Sequence, residues 1–290
     1  MNPYHKLVSG FARLFADGKQ LPPGRIPPHD KPKSTPDKKS PVALIFSPHP
    51  DDECIIGGLP LRLLRENKTR VVNVAVTLGS NKERRQKRLR ELKNACNWIG
   101  FELEHVTPDG LEKINVQTRK KKPAIWNRSV KMVSALLLKF RPQIIFSPHA
   151  ADGHGTHIGA HFLVMDALKL LPKNFQTVLV ETEFWAQMPS PNLIVESSAD
   201  DVADLIAALS FHVGEMKRNP YHLRLPAWLQ DNVRRGAEMV GGQGSAAPDF
   251  LFATLYRARR WKNGRVGNLF FNGKRISAKE NPSAVFNFQK

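Results

Sequence analysis

The sequence predicts an α/β protein: a Rossmann-like, doubly wound, mostly parallel sheet with helices on both faces. Three observations carry that expectation. Short apolar runs of strand length alternate with longer stretches whose apolar residues recur at helical spacing. Two of those runs end in the same string, Phe46-Ser47-Pro48-His49 and Phe146-Ser147-Pro148-His149, so both strands are expected to finish at one edge of one sheet. The loops that follow them are rich in His and Asp, and ligands of open α/β sheets bind at the carboxyl ends of the strands.

Taken in order, residues 2–16 read as a short amphipathic helix with Leu7, Phe11, Leu14 and Phe15 on one side, a docking element rather than a membrane anchor. Residues 19–40 are rich in Pro and Lys and read as an exposed linker or arm. Strands are expected at 42–46, 70–78, 101–106, 143–146, 177–184, 193–195 and 250–256. Helices are expected at 58–65, 82–99 and 124–140, from His157 onward, and at 200–216 and 227–240. The division that follows is a basic N-terminal arm (1–40), one α/β domain (41–260) and a basic C-terminal extension (261–290).

A chain of 290 residues is long enough for one large domain with a sizeable core. Its two cysteines, Cys54 and Cys96, make a disulfide framework implausible and favour a reducing compartment. The apolar Ile55-Ile56 flank favours a packed Cys54 thiol over a nucleophile. With no span-length apolar stretch and no uninterrupted signal segment, the expected location is cytoplasmic. The charge, 44 Lys and Arg against 26 Asp and Glu, is +18 and concentrates at 84–90, 119–122 and 257–265. Solvated helix faces account for such an excess on charge alone; it also steers anionic small molecules or binds nucleic-acid phosphates. Two of the clusters follow the second and third strands on the crevice side, which favours a phosphate or carboxylate on a small substrate. Nucleic acid is the secondary partner, and self-association is compatible with the sequence.

The chemistry concentrates in the two loops. After the first strand, His49 and Asp52 are candidate metal ligands with Asp51 beside them as a base. In the second loop His149, Asp152, His154, His157 and His161 fall within thirteen residues, and hold four of the chain's ten His. His157 and His161 stand four apart at the start of a helix. Purely structural roles for the whole cluster are the weaker reading.

The string PHPDDE (48–53), followed by the Gly153-His154-Gly155-Thr156-His157 loop, resembles the PIG-L/LmbE family of zinc-dependent N-acetylglucosaminyl deacetylases. Arg88, Glu91, Ala95 and Ile99-Gly100 are similar to a helix motif of that family, and residues 208–212 to a later His-containing element. The resemblance is specific from Val42 to the helix after His157 and looser to about Arg257. It implies an LmbE-like fold, with His49, Asp52 and His157 holding zinc, or iron(II) or another divalent ion in its place. It further implies Asp51 as general base, His154 as transition-state stabiliser, and Arg88 and His212 as substrate contacts. The implied activity is hydrolytic removal of acetyl from an N-acetylglucosamine-type substrate, a small acetylated amino-sugar that the charge suggests is phosphorylated or otherwise anionic. The alternatives are an amidase of a larger sugar conjugate and a basic nucleic-acid-binding protein that keeps the fold without the chemistry. Two departures stand out: Thr156 occupies the place of a carboxylate, for which Asp152 is the candidate substitute, and His212 to Glu215 reads HVGE where HxSQ is expected.

Overall fold

Every residue of β1 (Val42–Ser47) is buried, as expected of a strand covered on both faces, and the sheet is built outward from it. The computed structural model describes residues 2–27 and 36–286. In chain order the elements are α1 (Tyr4–Gly18), β1, α2 (Asp52–Ile55), α3 (Gly58–Asn67), β2 (Arg70–Ala75), α4 (Arg85–Ile99), β3 (Glu102–His105), α5 (Val116–Lys121), α6 (Pro123–Phe140), β4 (Ile144–Pro148) and α7 (Gly155–Leu168). They continue with β5 (Thr177–Thr182), β6 (Leu193–Ser197), α8 (Ala199–Ser210), α9 (Val213–Arg218), α10 (Leu225–Gly241), β7 (Phe252–Lys262), β8 (Arg265–Asn268) and β9 (Lys274–Ile276). Single 3-10 turns include Lys82–Arg84 and Tyr221–Leu223.

The strands form one sheet in the order β3-β2-β1-β4-β5-β7-β6-β9, with β8 paired to β7. From β3 to β5 all pairs are parallel, and β7 runs antiparallel to both β5 and β6. Ile45 lies opposite Phe146, so the two FSPH strings end at the same sheet edge one residue out of step. Alternation along β1 sends Ala43 and Ile45 into one core with Leu59, Leu92 and Leu205, and Leu44 and Phe46 into the other with Trp126, Val133 and Leu163. Helices α3, α4 and α8 thus cover one face while α6 and α7 cover the other. Each such aliphatic side chain contributes about 1.5–3 kcal/mol on burial, which fixes the strand ends on which the loops are mounted.

Several elements differ from the sequence expectation. The single helix expected over 200–216 is two, α8 and α9, interrupted at Phe211 and His212. The break turns His212 inward, and Gly214 sits against Arg84 and Glu91. Residues 116–121 are helical rather than a loop, because the Asn115 side chain caps α5 by accepting from the Thr118 N–H at 2.8 Å. β7 extends six residues past Tyr256, and 265–276 add two further strands to the sheet. Of the linker expected over 19–40, residues 28–35 lie outside the described residues. The Gly24 N–H donates to Ser210 Oγ, and the Pro27 carbonyl accepts from the Trp98 indole at 2.9 Å. Among the described residues no helix is long and apolar enough to cross a membrane.

Candidate active site

The chain leaves β1 in a tight turn. The Pro48 carbonyl accepts from Thr77 Oγ1 at 2.7 Å, and the His49 N–H donates to Asp52 Oδ2 at 2.8 Å. Asp51 takes φ 118°, a region costly for any residue with a Cβ, and its N–H donates to Glu53 Oε2 at 2.9 Å. This turn sends Asp51 and Asp52 toward the crevice while Glu53 points into the protein.

The loop after β4 divides its polar residues between two tasks. His149 and His161 hold the loop: His149 Nε2 lies 3.1 Å from the Ala186 carbonyl, and His161 Nδ1 lies 3.0 Å from the Pro148 carbonyl and 3.5 Å from Glu181. His154 and His157 serve the crevice. Asp152 organises both, since its Oδ1 accepts the His154 N–H at 2.9 Å and its Oδ2 lies 3.6 Å from His157 Nδ1. Asp152 thus meets the backbone N–H of His154 and stands behind the ring of His157. Gly159 lets α7 approach the preceding loop closely, because a Cβ there would meet the Ile114 carbonyl oxygen at 2.3 Å.

Both loops meet above the β1 and β4 ends. The His49 ring centroid is 4.9 Å from that of His154 and 5.3 Å from that of His157. Asp52 Oδ2 lies 3.6 Å from His49 Nδ1 and 3.4 Å from His157 Nε2. Tetrahedral zinc with bonds of about 2.0–2.2 Å holds neighbouring ligand atoms about 3.3–3.6 Å apart, so this donor set suits a divalent ion. His157 Nε2 is buried without a hydrogen-bond partner among the described residues, while Nδ1 faces Asp152. That is the arrangement of a ligand imidazole with a carboxylate behind it. Burial alone would raise the Asp52 carboxyl, but His157 and His49 overcome it and hold it at about 2. The ring nitrogens of His49, His154 and His157 also lie within 4.8 Å of one another. His154 differs from the other two in that its Nδ1 accepts the Thr156 N–H at 3.3 Å, leaving Nε2 to carry the proton of the neutral ring. Burial, then His49 and His157, push the His154 pKa down, so the neutral ring is favoured.

Asp51 stands beside this cluster with two partners. Its Oδ2 accepts a hydrogen bond from the Tyr221 phenol and lies 3.8 Å from Arg88 Nη2, which also donates to the Pro50 carbonyl at 2.9 Å. Burial, then the adjacent Asp52, push the Asp51 pKa up to about 7 against the opposing effect of His212, Arg88 and Tyr221. Sequence reasoning missed Tyr221, which sits on a 3-10 turn with no local motif to mark it.

His212, expected as a substrate contact, is fully buried behind the site. Its Nε2 donates to Glu53 Oε1 at 2.7 Å, and Glu53 in turn accepts the Asp51 N–H, so His212 supports the turn and does not line the cleft. Cys54 is enclosed beside Glu53, and burial pushes its thiol well up, as the packed-thiol expectation holds.

The cleft has a volume of about 750 Å³. Arg88 lines it together with Lys82, Arg85, Lys113 and Arg218, against Glu112 and Glu215. Arg119, expected at the crevice, instead holds Asp166 of α7 at 2.7 and 2.9 Å through two guanidinium nitrogens. Trp185 lines the cleft, half-exposed, with its ring 6.2 Å from that of His154.

Residues 44–168 match the family described as PIG-L: GlcNAc-PI de-N-acetylase. Among solved structures the chain is similar to the N,N'-diacetylchitobiose deacetylase of Pyrococcus horikoshii, at 16% identity over 77% of this chain and 85% of that one, with a TM-score of 0.56. It is similar to the teicoplanin deacetylase Orf2, solved in a zinc-inhibited form, at 13% identity over 76% and 98% with a TM-score of 0.53. The 4-carboxy-2-hydroxymuconate hydratase GalB of Pseudomonas putida KT2440 aligns at 14% identity over 75% and 95% with a TM-score of 0.54. These likenesses show a shared fold, one that carries more than one chemistry. No curated protein sequence matches the chain.

Proposed function

We propose that the protein, whose residues 44–168 match the PIG-L family, is a metal-dependent hydrolase that removes the acetyl group from an N-acetylglucosamine-type substrate, giving the free amine and acetate. The observation that carries the proposal is the meeting of His49 and Asp52 from one strand end with His157 and His154 from the other, with Asp51 at their side. His49, Asp52 and His157 would hold the ion. When bound, a divalent ion supplies Lewis-acid chemistry, polarising the acetamide carbonyl and acidifying water toward neutral pH.

The chain's own residues do the rest. Asp51 takes a proton from the attacking water and passes it to the amide nitrogen as the C–N bond breaks, and a base near neutrality suits that task. Arg88 and Tyr221 hold its carboxylate on the cleft side. His154 donates from Nε2 to the oxygen on which charge develops, a role the neutral ring can fill. Trp185 offers an apolar face to a sugar ring, and the basic rim of Lys82, Arg85, Lys113 and Arg218 suits an anionic group on the substrate.

The test is acetate release from acetylated amino-sugars, with and without phosphate groups, alongside metal analysis. Asp51→Asn is expected to keep the ion and lose turnover by at least about a hundredfold, and His154→Ala to keep the ion with a loss of similar order. Wild-type turnover in Asp51→Asn would remove it as the base, and loss of metal in His154→Ala would make His154 a ligand. Absence of metal together with salt-sensitive binding to duplex would favour a nucleic-acid-binding role instead.

A further inference from the structure

Helix α1 has 15 residues, none of them buried, and it is sharply two-faced. Tyr4, Leu7, Val8, Phe11 and Leu14 fall on one stripe, and each is 53–70% exposed. Lys6 and Arg13 lie on the opposite side. Its ties to the domain are in the last turn, where Gly18 sits against Leu223 and the Arg224 guanidinium lies 5.2 Å from the Phe15 ring centroid. Phe15 and Gly18 share the stripe's face, so the stripe meets the domain in its last turn and is exposed from Tyr4 to Leu14.

We propose that the exposed part of this stripe, Tyr4 to Leu14, docks the protein on an anionic lipid bilayer, in place of the docking role without membrane anchoring expected from the sequence. At about 1.5 Å per residue the helix is about 22 Å long, too short to cross a hydrocarbon core of about 30 Å. An apolar stripe backed by Lys and Arg is the pattern of a helix that lies in the membrane interface. Charge selects the partner. The first forty residues hold eight Lys and Arg against three Asp, within a chain of net charge +18. A second copy would bring the same positive charge against itself, whereas anionic headgroups oppose it. Leu223 and Arg224, which seat α1, lie two and three residues after Tyr221 at the cleft, so docking would place the cleft rim beside the bilayer.

The test is flotation of the full chain with vesicles of equimolar phosphatidylglycerol and phosphatidylcholine, against vesicles of phosphatidylcholine alone. The informative variant is Leu7→Ala/Phe11→Ala/Leu14→Ala, which keeps every charge and a strong helix former at each position. Wild-type protein is expected to float with the anionic vesicles only, and the variant to bind them about tenfold or more weakly, with an unchanged thermal unfolding midpoint as the control for folding. Failure of the wild type to float, or equal flotation of the variant, overturns the proposal. So does a wild-type dimer that the variant dissociates and that ignores vesicles, which would assign the stripe to a second copy. None of these readouts depends on the deacetylase assignment.

Discussion

The Tyr221 phenol donates a hydrogen bond to Asp51 Oδ2 across 170 residues of sequence. Burial and the Asp51 carboxylate raise the phenol's pKa, which keeps it a donor. A hydrogen bond to a charged group contributes about 1.5–3 kcal/mol, and this one fixes which way the carboxylate faces. Tyr221→Phe is accordingly expected to lower kcat by about tenfold or more with KM little changed and metal content intact. A change confined to KM would make Tyr221 a substrate contact rather than a positioning residue.

Asp152 reaches His157 from behind, so its effect is expected on metal retention. Asp152→Asn should weaken the ion about 10- to 100-fold in chelator competition, as loss of a partner behind a ligand imidazole does. Unchanged affinity would leave Asp152 with only its hydrogen bond to the His154 N–H.

The His212–Glu53 pair is enclosed, and removing one partner strands the other. His212→Ala is expected to cost about 3–5 kcal/mol in urea unfolding, the scale for breaking a buried pair. A stable variant with a raised KM would restore His212 to the substrate.

Asp166 provides a pH signature remote from the cleft. Burial would raise its carboxyl, but hydrogen bonds from Arg119, Trp126 and Lys169 hold it below the ordinary value. A depressed carboxylate contributes stability that is full above its unfolded value, about 4, and is lost as pH falls through the folded one. Asp166→Asn should therefore lower the melting temperature at neutral pH and shrink the difference from wild type in acid. A difference that stays constant down the acid limb would contradict this.

The strands ending in FSPH were legible because a buried parallel strand must be continuously apolar, and the two His/Asp loops announced themselves by composition. Long-range partners left no such trace. Nothing near Tyr221 points to Asp51, and the apolar spacing of Val202, Leu205 and Leu209 runs on to Met216 as though the helix did not break at His212. The last two strands escaped for a different reason: residues 265–268 are largely exposed and pair at the side of β7, so they show little of the alternation that marks a half-buried strand. Arg119 looked available to substrate because its partner, Asp166, lies 47 residues away on α7.

The φ of 118° at Asp51 sets folding and turnover against each other at a single position. A residue with a Cβ pays of order 1–3 kcal/mol to sit there, and glycine does not. Asp51→Gly should thus recover part of that strain, offset by losing the Tyr221 and Arg88 contacts, and unfold at a temperature close to or above that of the wild type while releasing no acetate. Thermal robustness alone would favour glycine at this turn, so the aspartate there costs stability that only its side-chain chemistry justifies.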